Sequence, residues 1–273
     1  MDIGADMGIM NWKTGASTCF YGKIDRRLMG EFSRGGVECI ELSFSYNYYY
    51  GELDFVGHSR EIATDASRAG LELWSIHLPF SGELDISHPD TAKRSFAMQT
   101  NLELIDAASD AGVKVAVVHP SSEPISDSDR QGRLECSKAN LRILAKKAGQ
   151  AGMRLAVENL PRTCLCNHSR DVLFLLEDND DLYVVYDTNH LLIQDNVEFI
   201  RAVGDRIITL HVSDYDFIDE RHQLPLEGKN DWKSIITALD EVGYDGPWMY
   251  EVSSRGIYTP KDLRENQLKL SQL

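Results

Sequence analysis

The sequence contains no long apolar run, and its mean hydropathy of −0.31 gives no support for a membrane span. Cysteine is scarce. The five residues Cys19, Cys39, Cys136, Cys164 and Cys166 are odd in number and irregular in spacing, which is not the pattern of a disulfide framework. The segment Met1-Asp2-Ile3-Gly4-Ala5-Asp6 has neither the basic region nor the apolar centre of a secretory leader, so the expected setting is a reducing cytoplasm. Basic residues are few, 28 against 43 acidic, and the formal charge of −15 disfavours nucleic acid as a partner. No Gly-x-Gly-x-x-Gly comes after the first apolar run, which leaves an open dinucleotide-binding sheet unsupported. Linkers, low-complexity stretches and composition shifts are missing too. The expectation is a single domain over residues 1–273.

The chain does show an alternation. Short runs rich in Val and Ile recur at Ile3–Met7, Cys39–Leu42, Leu71–Ile76, Val113–Val118, Met153–Val157, Tyr183–Tyr186, Ile207–Leu210 and Trp248–Tyr250. Near-continuous apolar runs suit parallel strands covered on both faces. Helical patterns succeed them at 25–34, 59–68, 89–111, 129–151, 169–177, 197–203, 232–242 and 260–268. Three of these patterns end in Ala-Gly, at Gly70, Gly112 and Gly152, where a left-handed cap would turn the chain into the next strand. Eight strand–helix units in this length predict the α/β class and a (β/α)8 TIM barrel.

The chemistry lies at the carboxyl ends of the apolar runs. The second ends at Glu41, the third at His77, the fourth at His119, the fifth at Glu158, the sixth at Asp187, the seventh at His211 and the eighth at Glu251. Barrel enzymes carry their reactive groups on this rim. Seven ionisable groups in succession would each carry a desolvation cost as packing residues. Convergence on a cation would offset the repulsion among the carboxylates. Glu158, Asp187, His211 and Glu251 are the expected ligands of one divalent metal. Three carboxylates and an imidazole form a hard donor set that favours Mn²⁺, Mg²⁺ or Co²⁺, and Zn²⁺ also accepts it.

The ordered motifs Val157-Glu158-Asn159, Asp187-Thr188-Asn189-His190, His211-Val212-Ser213-Asp214 and Tyr250-Glu251-Val252 resemble the xylose isomerase-like TIM-barrel superfamily. That group includes ketose 3-epimerases, hydroxypyruvate isomerase, inosose dehydratase and endonuclease IV. The segment from Pro225 to Trp232 resembles the family's Pro-Gly-x-Gly-x-Ile-Asp-Trp, with Leu226 in place of a glycine and Asn230 in place of isoleucine, so its loop backbone is expected to differ. The resemblance implies a metal-dependent isomerase or epimerase of a small sugar or keto-polyol. In it, Glu158 and Glu251 would move a proton through a metal-stabilised enediolate. It implies His190 as a substrate contact and a homodimer or homotetramer as the assembly.

Two further readings come from the same group. One is an inosose-type dehydratase. The other is an endonuclease IV-like phosphodiesterase on abasic DNA, which would use several zinc ions and draw on His77, His119, His190 and His222. Glu220-Arg221-His222 resembles that branch's Asp-Arg-His. A reading from another class is a barrel that binds a sugar without turning it over. His77, His119, Glu41, His222 and Arg221 are placed on the substrate side. Against this, a strand-end histidine is more often a hydrogen-bonding support, and a loop arginine is more often plain surface. Arg162 and Arg255 are also loop residues that could meet a phosphate. Tyr46 to Tyr50 suggests an aromatic lid or an interface, and Trp12 a pocket wall or core packing. Cys164-x-Cys166 reads as chance placement in a mobile loop.

Overall fold

The computed structural model describes residues 8–21, 23–43, 48–49, 54–253 and 257–273, with the side chains of residues 10, 48 and 49 outside that description. Eight parallel strands form the barrel: β1 (Thr14–Ser17), β2 (Cys39–Ser43), β3 (Glu72–His77), β4 (Val115–Val118), β5 (Arg154–Glu158), β6 (Leu182–Asp187), β7 (Ile207–His211) and β8 (Trp248–Tyr250). Each pairs with its sequence neighbour, and β8 pairs with β1, giving the order β8-β1-β2-β3-β4-β5-β6-β7. Between β7 and β8 the ladder shrinks to one bridge, Val212 with Tyr250. There Val212 N–H donates to Met249 O at 2.8 Å and Glu251 N–H to Val212 O at 3.0 Å.

Among the described residues, eight α-helices cover the outside: α1 (Arg26–Arg34), α2 (Phe55–Ala69), α3 (Thr91–Asp110), α4 (Asp127–Gln150), α5 (Ser169–Leu176), α6 (Asn196–Val203), α7 (Trp232–Glu241) and α8 (Pro260–Leu270). Asp25, Asp54, Asp90, Ser126, Asp195 and Asp231 cap six of them by accepting first-turn N–H groups. Gly70, Gly112 and Gly152 take φ of 74°, 80° and 73°, the left-handed turn expected before β3, β4 and β5. No described helix is long and apolar enough to cross a membrane.

Alternation along the strands sorts the side chains. Ala116, Val118, Leu155, Val157, Val184 and Tyr186 join the large core beneath the helices. Val115, Val117, Ala156, Val185 and Ile208 form a separate cluster with Trp74 and Tyr183, and this fills the barrel interior. The same period of two turns His77, Glu158 and Asp187 inward above that plug. Register irregularities at Ile40/Glu41 and at Val184/Val185 adjust the walls close to Glu41 and His211.

One expected strand differs. The run Ile3–Met7 lies outside the described residues, and the first barrel strand is Thr14–Ser17. This strand is small and mixed rather than apolar because its surroundings leave no room. A Cβ on Gly15 would come within 2.9 Å of Met249 Cε and 3.1 Å of Cys39 Sγ. Trp12 therefore precedes β1 instead of coming after the first strand. It is core, stacked on Trp248 at 5.7 Å with its Nε1 donating to Tyr244 O at 2.9 Å. A two-stranded pair, Lys23–Ile24 with Tyr48–Tyr49, was not signalled by the apolar pattern. The rest of the Tyr46–Tyr50 run, and Arg255, lie outside the described residues.

Candidate metal centre

The inward groups at the strand ends meet. One ligand atom from each of Glu158, Asp187, His211 and Glu251 lies within 4.8 Å of the others, and all four residues are buried. Glu158 Oε1 is 2.9 Å from His211 Nδ1, which is itself 3.9 Å from Asp187 Oδ2 and 3.6 Å from Glu251 Oε2. Among the described residues, the ion-pair partners of these carboxylates are all imidazoles.

The donor set fits a divalent cation. Asp187 Oδ2 is buried and accepts no hydrogen bond from a described residue, although Oδ1 takes the Asn189 N–H at 2.6 Å. An orphaned carboxylate oxygen among two further carboxylates is costly unless a cation completes it. Burial pushes the Asp187 carboxyl well above the usual range, and the charges of Glu158 and Glu251 add to this against the pull of His190. Burial works against the charged form of His211 too, but Glu158, Glu251 and Glu41 outweigh it and raise that imidazole well above its ordinary value.

The surroundings fix the set. Glu41 is completely buried and faces His211 Nε2 at 3.1 Å, while Ser75 Oγ donates to it at 2.8 Å. This leaves His211 Nδ1 turned toward the carboxylates. Asn159 receives the Asp187 N–H on Oδ1 at 2.7 Å and donates from Nδ2 to Asp187 O at 2.9 Å, locking β5 to β6. Asp214 gathers the loop after β7, accepting from the backbone N–H of Tyr215, Leu226 and Asn230 and from Trp232 Nε1. In that loop Leu226 takes φ 79°, a left-handed conformation suited to glycine, and it does so with a side chain.

Two outer sets of donors flank the centre. His77, His119 and Glu158 form one, and His190, Glu220 and His222 the other. Glu158 Oε2 lies 3.2 Å from His77 Nε2 and 3.3 Å from His119 Nε2, so its two oxygens face different sets. His190 Nδ1 is 3.3 Å from Asp187 Oδ2, and its Nε2 is 2.8 Å from Glu220 Oε1. Burial opposes charge on His190, yet Asp187 and the hydrogen bond to Glu220 raise it to about 10. Burial would raise Glu220, but His190 and Arg162 hold it at about 2.

A cavity of about 460 Å³ opens above the centre. Glu158 and Glu251 reach its wall, whereas Asp187 and His211 lie behind it. His77, His119, His190 and His222, the histidines placed on the substrate side from the sequence, also line it. Glu41 and Arg221 do not. Glu41 sits beneath His211, and Arg221 turns away to pair with Asp216 at 2.8 Å, nearly half exposed. Both depart from the expected substrate contact. Sequence reasoning missed Phe80 and Phe20. Phe80 stacks on His119 with centroids 3.8 Å apart, and Phe20 meets His222 edge-on at 5.2 Å. The position of Phe80 three residues beyond His77 was the available signal. Cys164 and Cys166 are both buried, and Cys166 N–H donates to Asp171 Oδ2 at 3.1 Å, so this segment is packed rather than loose.

The chain belongs to the family described as xylose isomerase-like TIM barrel, which matches residues 32–272. It is 27% identical over 180 residues to the uncharacterized protein MJ1311 of Methanocaldococcus jannaschii, covering 63% of this chain and 61% of that one. It is 25% identical over 193 residues to a ketose 3-epimerase of Arthrobacter globiformis, covering 68% and 65%. The matches thus span less than two thirds of either relative. A crystal structure of a D-tagatose 3-epimerase-like protein shares the fold at a TM-score of 0.81 and 21% identity, over 95% of this chain and 98% of that one.

Proposed function

We propose that this chain, read as one domain, is a divalent-metal-dependent isomerase or epimerase of a small sugar or keto-polyol. The observation that carries the reading is the division of the four-residue centre. Asp187 and His211 are enclosed, while Glu158 and Glu251 reach the cavity. The enclosed pair is suited to holding a cation, and the exposed pair to meeting substrate carbon as well. A bound Mn²⁺, Mg²⁺ or Co²⁺ would supply Lewis-acid polarisation of substrate oxygens. One glutamate removes the proton beside the carbonyl and the other returns a proton. Phe80 and Phe20 offer apolar surface to the C–H face of a polyol. The ketose 3-epimerase relative supports this substrate class.

The test uses Glu158→Gln and Glu251→Gln, with ketoses assayed for turnover and for solvent deuterium incorporation at carbon. Metal content is measured in parallel. Loss of exchange with metal retained is the expected result in at least one variant. Full activity in both would remove the proton-transfer assignment.

A second reading is favoured by the two outer donor sets. Three adjoining sets, two of them sharing Glu158, match what a multi-zinc phosphodiesterase on abasic DNA would need. The charge of −15 weighs against a DNA partner. Three zinc ions per chain, with cleavage of an abasic duplex, would select this reading over one ion and ketose turnover. Light scattering tests the expected dimer or tetramer.

A further inference from the structure

Arg162 is the lysine or arginine that lines the cavity among the described residues, and it is already occupied. It stands in the loop after β5 at φ 51°, a left-handed conformation uncommon for a residue with a side chain. Its Nη2 lies 2.6 Å from Glu123 Oε1, in the loop after β4. Its Nη1 lies 2.8 Å from Asp219 Oδ1 and also pairs closely with Glu220 Oε2, both in the loop after β7. One guanidinium therefore ties three loops together. The other oxygen of Glu220 is 2.8 Å from His190 Nε2. The only carboxylate of the His190, Glu220 and His222 set is thus held at both oxygens by cationic or hydrogen-bonding nitrogen.

A cation entering that set would have to share Glu220 with a guanidinium that cannot lose its proton. The inner set has no guanidinium or ammonium partner among the described residues, since its carboxylates face imidazoles alone. We propose that Arg162 is an internal counter-cation that keeps the His190, Glu220 and His222 set poor in metal, so that this set binds an ion more weakly than the inner one. This rests on the reading that Glu158, Asp187, His211 and Glu251 hold a metal. It adds the residue that limits how many ions join them.

The test is titration of the metal-free full chain with Mn²⁺, and separately with Zn²⁺, using chelator competition and elemental analysis after gel filtration. The proteins are wild type, Arg162→Gln, Arg162→Lys and Asp187→Asn, each checked for folding by circular dichroism. Arg162→Gln is expected to tighten the weaker site at least tenfold, or to add an ion that survives gel filtration, with the tight site unchanged. Arg162→Lys keeps the charge and is expected to behave as wild type. Unchanged or weaker binding at the outer set in Arg162→Gln would overturn the proposal, as would a wild type that fills both sets equally tightly. If Arg162→Lys matches Arg162→Gln, charge is not the cause and the proposal also fails. A wild type that binds no ion, or one whose tight site survives Asp187→Asn, removes the underlying reading and the proposal with it. A tight site lost in Asp187→Asn but with no change in Arg162→Gln removes the proposal alone.

Discussion

Replacing Asp187 with asparagine keeps the shape of a completely buried side chain and deletes one charge. Oxygens of Glu158 and Glu251 lie within 4.8 Å of it. At that separation and an effective dielectric of about 20, each repulsion is worth about 3.5 kcal/mol. His190 at 3.3 Å and His211 at 3.9 Å return attractions of about 4–5 kcal/mol each when protonated. These contributions largely offset one another, so the cost of burying a carboxylate, several kcal/mol, decides the sign. The upward displacement of the Asp187 carboxyl, led by burial, points the same way. Asp187→Asn is therefore expected to stabilise the metal-free protein by about 1–3 kcal/mol. At about 2–4 °C per kcal/mol for chains near this size, the Tm rises by several degrees. With metal the order reverses. Wild type gains about 4.1 kcal/mol at an ion concentration roughly 1,000 times Kd, and the variant gains little. Differential scanning calorimetry in chelator and in Mn²⁺ reads both halves. A metal-free Tm below wild type would show that Asp187 is a structural ion-pair partner, and an undiminished metal-induced rise would show that it is no ligand.

Three other outcomes are expected. Glu158, Glu251 and Glu41 outweigh burial and raise His211 above its ordinary value, so metal binding there is expected to release a proton and affinity to climb with pH; calorimetric titration in buffers of different ionisation enthalpy measures the release, and a buffer-independent heat would contradict it. Glu41→Gln keeps the hydrogen-bonding shape around His211 but removes the charge, and should weaken metal binding about 10–100-fold by chelator competition; unchanged affinity would deny Glu41 its orienting part. Asp214→Ala removes the acceptor of three backbone N–H groups and Trp232 Nε1, and should cost at least about 3 kcal/mol in urea unfolding; a loss below about 1 kcal/mol would mean that the loop holds itself.

The barrel was legible because β2 to β8 carry apolar runs that end in ionisable residues, and the left-handed caps at Gly70, Gly112 and Gly152 mark where strands begin. The four central residues were legible for the same reason, as each stands at the end of its strand with an inward side chain. β1 was hidden because Thr-Gly-Ala-Ser is selected by the tight space beside Met249 and Cys39 rather than by hydrophobicity. Height along the barrel was hidden as well. Alternation says that Glu41 points inward but not that His211 lies above it, and so its exclusion from the cavity could not be read. Arg221 and Arg162 are both loop arginines in the sequence. Only the folded loops show that one pairs with Asp216 and that the other, itself at the cavity wall, pairs with three carboxylates.

The thin ladder between β7 and β8 has a mechanical consequence. His211 ends one side of that seam and Glu251 stands just past the other, with a single bridge between Val212 and Tyr250 joining the walls. A ligand gripping both residues would act as a clasp on the weakest stave joint of the barrel. Filling the centre and fastening the cylinder would then be one event, and an empty molecule would breathe first along this line.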